Sequence, residues 1–229
     1  MDYNDRLKYK SDSLLLNGLR YILGTTRQLA KRLSSYPLYL PPYTAASYTL
    51  TQFQAEENFQ YFKNEKQRRL NLIQPLLHDF DIPLDYHAPE RKVLLQLDAW
   101  AYQQWPAIYY KKIRNNSYGF PTHGRIAKVK SFLYDMSILL GECYISVNPR
   151  SSWRLYDASL EEIEPSNCPV IFIPATLDGE TPNRIIEMEQ HVIYHYLAQR
   201  YSSSMLVVDY KIGRVLTQPI IDYMDNGPR

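Results

Sequence analysis

The longest uninterrupted helical pattern in the sequence begins at Thr51, and it restricts the fold more than any other feature. Thr51 followed by Gln54 has the spacing of a capping box, in which each side chain bonds the other residue's backbone amide. The stretch TLTQFQAEENFQYFKNEKQRRLNLIQ then has the character of one long helix. We expect Pro75 to kink or restart this helix before Asp79, because proline removes an amide donor and crowds the preceding turn.

Other helices are predicted on both sides of this one. Apolar residues between 15 and 33 form one stripe surrounded by basic residues, which indicates an amphipathic helix. The segment ERKVLLQLDAWAYQQW predicts another helix, and AIYYKKIRN after Pro106 predicts a short one. Between the first two helices, SSYPLYLPPYTAASYT has three prolines and four tyrosines and predicts a loop.

The character of the sequence changes near Gly141. A helix is predicted from about 126 to 140, with Gly141 at its C-terminal cap. CYISV and WRLYD are then predicted as strands joined by a hairpin at 148–152, and PVIFIPA as a central strand. Residues 182–200 are predicted to be helical, with Ile185, Met188, Val192 and Tyr196 facing inward, and MLVVDY is predicted to be a last strand.

These elements together predict an α+β fold in a single domain of residues 1–229. A helical N-terminal layer, about 11–140, packs on a small mixed or antiparallel C-terminal sheet within the mixed part, about 141–229. Gly141, Glu142 and Trp153 are predicted to form a structural motif at the junction. In this motif Glu142 satisfies backbone amides or an arginine, and Trp153 packs over the helix.

Charge and cysteine content exclude several functional classes. The formal net charge of +2 is too small to indicate nucleic-acid binding by itself. Cys143 and Cys168 form no CxxC pair, so we expect reduced, buried thiols. No signal peptide pattern and no long apolar run is present, which predicts a cytoplasmic protein without a membrane partner.

The strongest metal-like pattern lies in EMEQHVIYH. Glu187, His191 and His195 are spaced at four-residue intervals and would share one helix face. A zinc protease has its general base directly after the first histidine, and here Val192 takes that place, so we predict ordinary surface residues and no metal. No glycine-rich phosphate loop occurs either, and no cofactor is predicted.

Tyrosine is the most overrepresented residue type, with 21 copies against 7 phenylalanines. Its amphipathic ring suits half-buried core edges and protein recognition surfaces. The predicted partner-binding residues are aromatic, basic or acidic: Tyr109, Tyr110, Lys111, Lys112, Arg114, Tyr118, Glu161, Glu162 and Glu164. A strongly basic nuclease would be a suitable partner only if the acidic residues at 161–164, or Asp222 and Asp225, form a local acidic patch.

Three segments carry a family resemblance: ENFQYFKNEKQRRL, LDAWAYQQW, and YDMSILLGECYI together with NPRSSW. In these segments the chain resembles bacterial immunity-type proteins of polymorphic toxin systems. The resemblance implies a protein with no reaction of its own, which neutralises a cognate toxin by stoichiometric binding.

Two other functions remain open. One is a cysteine- or metal-assisted hydrolase that uses Cys143 or the pair His191 and His195. The other is nucleic-acid binding through residues 109–130, where basic and aromatic side chains alternate. We expect the toxin inhibitor, because no catalytic constellation has a specific local signature.

Overall fold

The computed structural model describes residues 27–109, 113, 119–156, 167–175, 182–198 and 216–227. Within these ranges the α-helices are α1 (Arg27–Arg32), α2 (Gln52–His78), α3 (Arg91–Gln104), α4 (Gly124–Val147), α5 (Met188–Ala198) and α6 (Gln218–Asn226). Short 3-10 helices occur at Leu33–Ser35, Ser47–Thr49 and Trp105–Ile108. The strands are β1 (Ser152–Leu155), β2 (Pro169–Ile173) and β3 (Arg184–Ile186).

Helix α4 forms the centre of the helical part. Its residues 129–141 are buried without interruption, and it packs against α2, α5 and α6. A helix that is covered on every side can be apolar on every face, and the buried part of α4 is mostly apolar, with Lys130, Ser131, Asp135 and Ser137 as its buried polar residues. The core therefore forms around α4.

Helix α2 begins with the predicted capping box. Gln54 N donates to Thr51 Oγ1 at 3.3 Å, and Thr51 N donates to Gln54 Oε1 at 3.0 Å. The helix continues through Pro75 to His78, so the predicted restart is wrong. The Pro75 carbonyl accepts a hydrogen bond from the Asp79 amide at 3.0 Å, which closes the last turn.

The sheet is antiparallel, in the order β1-β2-β3. Trp153 pairs with Ile171, and Ile171 pairs with Ile186 on the other side. Strand β2 is central, as its continuous apolar character predicts, and Ile171 belongs to the core. The protein thus has an α+β fold, with a helical N-terminal part and a small C-terminal antiparallel sheet.

The predicted boundary at Gly141 is wrong. CYISV is the last part of α4, which ends at Val147, and the predicted hairpin at 148–152 does not exist because β1 pairs with β2 instead. Cys143 and Tyr144 are buried, while residues 145–147 are partly exposed. Over so short an apolar stretch, periodicity does not separate the end of a helix from a strand.

The predicted helix at 182–200 is also partly wrong. Residues Arg184–Ile186 form β3, and α5 starts only at Met188. Met188, Val192 and Tyr196 are buried, as predicted. The helix predicted at 15–33 is described only from Arg27, and the strand predicted at MLVVDY lies outside the described residues.

None of the described helices has both the length and the apolar character needed to cross a membrane.

Candidate partner-binding surface

A long irregular segment connects α1 to α2. We call residues 36–51 the anchored loop; apart from the 3-10 turn Ser47–Thr49 it contains no helix or strand. Pro37, Pro41 and Pro42 prevent a helix here. Irregular segments of this length are uncommon in compact domains and usually have a function, so the contacts that hold this one are informative.

The start of the anchored loop is held by a fully buried ion pair. Arg69 of α2 donates from Nε to Asp135 Oδ1 at 2.6 Å and from Nη2 to Asp135 Oδ2 at 2.7 Å, and both side chains are 0% exposed. The hydroxyl of Tyr36 donates to the same Oδ2 at 2.5 Å. Two further guanidinium hydrogens reach the loop backbone, from Nη2 to Pro37 O (3.1 Å) and from Nη1 to Leu38 O (3.2 Å). Arg69 therefore fixes the loop directly to α2 and, through Asp135, to α4.

The same site shifts two pKa values. Burial raises the pKa of Asp135 to about 6, although the positive charge and hydrogen bonds of Arg69 act in the opposite direction. Burial and the neighbouring carboxylate raise the pKa of Tyr36 well above its usual value. At neutral pH Tyr36 is thus a hydrogen-bond donor and Asp135 a carboxylate, which are the states that the observed contacts require.

The middle of the anchored loop is held by two polar side chains. The amide of Tyr39 donates to Ser131 Oγ of α4 at 2.8 Å. Asn58 of α2 bonds both backbone groups of Tyr43, with Oδ1 accepting from N at 3.0 Å and Nδ2 donating to O at 2.9 Å. These bonds replace the ladder or helix bonds that the segment lacks.

Aromatic packing covers the inner side of the anchored loop. The buried ring of Tyr39 contacts the rings of Tyr61, Phe120 and Tyr134, with centroid distances of 5.4, 5.1 and 4.3 Å. The cavity that remains under the loop measures about 20 Å³. This volume is too small for a substrate, so the inner side of the loop serves packing.

The outer side of the anchored loop and the first turn of α2 expose large apolar side chains. Phe53 is 64% exposed, Tyr48 is 58% exposed and Leu40 is 43% exposed. We call these three residues the apolar surface. Their exposure, on a segment whose other side is tightly held, is the geometry of a preformed contact surface.

The predicted partner-binding residues are mostly outside the described ranges. Of that set only Tyr109 is described; it is half-buried and stacks on Tyr196 with a centroid distance of 5.6 Å. Its role as a partner contact stays a prediction, as do the roles of Tyr110, Lys111, Lys112, Arg114, Tyr118, Glu161, Glu162 and Glu164.

The residues that flank these undescribed segments lie against the anchored loop. The amide of Phe120 donates to Thr44 O at 3.0 Å. Asn167 Nδ2 donates to Leu50 O at 3.0 Å. The chain thus returns to the anchored loop at two further points, which adds two more fixed positions along it.

The other acidic residues proposed for a local patch have partners elsewhere. Asp225 forms an ion pair with Arg91 at 3.5 Å. Asp222 accepts a hydrogen bond from Gln218 within α6. Both lie on α6, and a basic partner would meet carboxylates that already have neighbours.

Gly141, Glu142 and Trp153 do form a structural motif, with different contacts from those expected. Gly141 is inside α4, where a Cβ atom would overlap the Trp153 ring, so the glycine supplies space and not a cap. Glu142 Oε1 accepts from Trp153 Nε1 at 2.6 Å and from Lys66 Nζ at 2.8 Å. Trp153 packs over the helix as predicted, and it also contacts the ring of Phe62.

Two residues of the metal-like pattern, His191 and His195, lie on α5, whereas Glu187 precedes the first residue of that helix, Met188. The rings of His191 and His195 have centroids 4.6 Å apart, and His191 Nε2 lies 2.8 Å from the Leu216 carbonyl, which only accepts. Burial and the neighbouring His191 lower the pKa of His195 to about 4. Over the part of the chain that the structure describes, which includes Glu187, no group of three or more potential ligands is placed to hold a metal ion.

Both cysteines are free and buried, as predicted. Burial raises the pKa of the Cys143 thiol far above its usual value. The protonated thiol is a poor nucleophile, and the position of Cys143 within the core of α4 favours a packing role.

Comparison of the chain with protein-family models, with curated proteins and with solved structures found no match. The three segments on which sequence analysis based the expected resemblance belong to α2, to α3 with its following turn, and to α4 with β1.

Sequence analysis identified the loop but not its role as the candidate surface. Three prolines and four tyrosines in sixteen positions were the available signal. The buried anchors Arg69 and Asp135 are distant in sequence, and no local pattern pairs them.

Proposed function

We propose that this protein acts by stoichiometric binding to another protein, as an immunity protein that neutralises a cognate toxin in the cytoplasm. The observation that carries the proposal is the anchored loop: buried polar side chains hold its inner side, while Leu40, Tyr48 and Phe53 are exposed on its outer side and the adjoining turn. The resemblance to immunity-type proteins supports the toxin as partner.

The anchors matter because binding normally costs conformational entropy. A free loop must lose backbone and side-chain freedom when it binds, and this cost lowers its affinity. Here Arg69, Ser131 and Asn58 fix the loop backbone before any partner arrives. The loss on binding is therefore reduced, as it is for rigid binding loops in general.

The exposed residues have the chemistry that protein interfaces use. Aromatic side chains are enriched among the residues that contribute most to binding, because a large ring is desolvated at the cost of few rotatable bonds. Tyr48 contributes a second exposed aromatic ring, and Phe53 is held by the capped first turn of α2. Both lie within a few residues of an anchor.

The test uses as candidate partner the product of a gene that lies next to the gene of this protein. Co-expression of the two proteins should rescue growth and give a complex that co-purifies in a 1:1 ratio. The variant Tyr48→Ser/Phe53→Ser should weaken this complex by about 30-fold or more, which corresponds to the roughly 2 kcal/mol expected of interface residues that dominate binding.

A matched control removes exposed apolar side chains elsewhere. Leu95→Ser/Tyr102→Ser on α3 takes away residues that are 40% and 44% exposed. We expect its affinity to remain within about threefold of the original, as for residues outside an interface. Absence of both rescue and complex would refute the inhibitor, whereas loss of binding only in the α3 variant would refute the anchored loop as its interface.

A further inference from the structure

The sequence segment that carries the apolar surface has charge of one sign. Residues 36–62 contain no lysine, arginine or histidine, and their only charged side chains are Glu56 and Glu57. The chain as a whole has a formal net charge of +2, so this segment differs in sign from the whole chain. The nearest following cation in sequence is Lys63, whose Nζ lies 5.1 Å from the centroid of the Phe59 ring.

Both carboxylates lie beside the apolar surface. Glu56 and Glu57 follow Phe53 by three and four positions on α2, so the three side chains share one helix face. All three are exposed. The apolar surface therefore has an acidic margin on the side of α2.

The two carboxylates are oriented by neutral donors. Glu57 Oε2 accepts from the hydroxyl of Tyr43 at 2.7 Å, which connects it to the anchored loop. Glu56 Oε1 accepts from Gln52 Nε2 at 3.0 Å. Within the described part of the chain neither carboxylate is in an ion pair, so their negative charges are not neutralised by a neighbour.

We propose that the anchored loop and the first two turns of α2 bind a protein surface on which lysine or arginine residues border an apolar pocket. The inference rests on the proposed function and adds the chemistry of the partner. Phe53 and Tyr48 fill the pocket, and the basic residues meet Glu56 and Glu57. Charge complementarity of this kind increases the association rate and selects the partner. Anionic partners, such as nucleic acids or acidic lipid headgroups, would be repelled.

The experiment maps two short peptides onto the isotopically labelled full chain by NMR chemical-shift perturbation. One peptide is Lys-Trp-Leu-Lys and the other is Glu-Trp-Leu-Glu, so that only the charge differs. The basic peptide should shift the amides of residues 40, 48, 53, 56 and 57 at millimolar concentration. The acidic peptide should leave them unchanged.

Charge-removing variants then test the carboxylates. Glu56→Gln/Glu57→Gln should weaken binding of the basic peptide by about threefold or more, because a Coulomb attraction is lost. The control Glu90→Gln/Asp222→Asn, which neutralises exposed carboxylates on other elements, should leave binding unchanged. Equal binding of both peptides, no shifts at these residues, or an unaffected Glu56→Gln/Glu57→Gln variant would each overturn the inference. A complex with the toxin that survives such a result would leave the proposed function intact.

Discussion

The two halves of α4 both contribute to the core, but they organise their surroundings by different means. The first half uses polar side chains, since Ser131 and Asp135 bond the anchored loop and its anchor Arg69. The second half combines close contact with a single hydrogen bond to β1, since Gly141 allows the Trp153 ring to lie directly on the helix and Glu142 accepts from Trp153 Nε1. Several directional bonds hold a segment that has no ladder of its own, whereas close contact and one such bond place a strand that already belongs to a sheet.

Removing the polar contacts made by the first half of α4 should have the largest effect on stability. Asp135→Ala leaves the Arg69 guanidinium buried without its carboxylate, and a broken buried ion pair costs about 3–5 kcal/mol. We expect this loss in the free energy of unfolding, measured by urea denaturation. The variant Tyr36→Phe/Arg69→Met/Asp135→Leu, which removes all three polar partners, should recover at least half of it.

The triple variant Tyr36→Phe/Arg69→Met/Asp135→Leu also tests whether Arg69 holds the anchored loop independently of its effect on overall stability. Although it is more stable than Asp135→Ala, it lacks the bonds to Pro37 O and Leu38 O, so the backbone amides of Leu38, Tyr39, Leu40 and Tyr43 should exchange with solvent faster than in the original protein. If these amides exchange at the same rates in the variant as in the original protein, Arg69 does not hold the loop.

Disturbing the close contact between Gly141 and Trp153 should cause a smaller loss in the free energy of unfolding. Gly141→Ala improves helix propensity by about 1 kcal/mol, but its methyl group overlaps the Trp153 ring, and overpacking typically costs about 1–3 kcal/mol. We expect a net loss of up to about 2 kcal/mol in the free energy of unfolding. The same substitution combined with Trp153→Ala should be much less harmful than the sum of the two changes, because the overlap is removed. Stabilisation by Gly141→Ala alone would show that the ring moves aside freely.

Local signals predicted a large share of the fold. The capping box and apolar spacing located α2, the helix at α3 has a clear stripe, and PVIFIPA was identified as a central strand. Each of these depends on residues within one or two turns, or within one strand. Such signals are strong when an element is long or has a distinctive end.

The junction and the candidate surface depend on distant residues, and there the sequence was less informative. Gly141 looks like a helix cap until Trp153 is placed over it. The anchored loop was predicted as a loop, but its importance depends on Arg69 and Asp135, which are 66 positions apart. Long-range pairs of this kind have no signature in a single sequence.

Asp98 is a second buried carboxylate, and it differs from Asp135 because its hydrogen bonds come from the neutral residue Thr217 and not from an arginine. Asp98 of α3 accepts from Thr217 N at 3.1 Å and from Thr217 Oγ1 at 2.6 Å, and it thereby holds the start of α6. Burial raises its pKa to about 6, against an ordinary value of 3.8, while the bonds from Thr217 lower it in part. The folded protein therefore binds the Asp98 proton more tightly than the unfolded chain does.

The sign of the pH dependence follows from that difference. Between about pH 4 and pH 6 the unfolded chain has lost this proton and the folded protein retains it, so the Asp98 contribution to stability falls as the pH rises. The expected loss is on the order of 1–2 kcal/mol. Asp98→Asn keeps an acceptor for the Thr217 amide but does not titrate, so its free energy of unfolding should fall less over this range in urea denaturations at fixed ionic strength. An identical slope in both proteins would mean that Asp98 is solvated in the folded state and that its bonds to Thr217 are not maintained in solution.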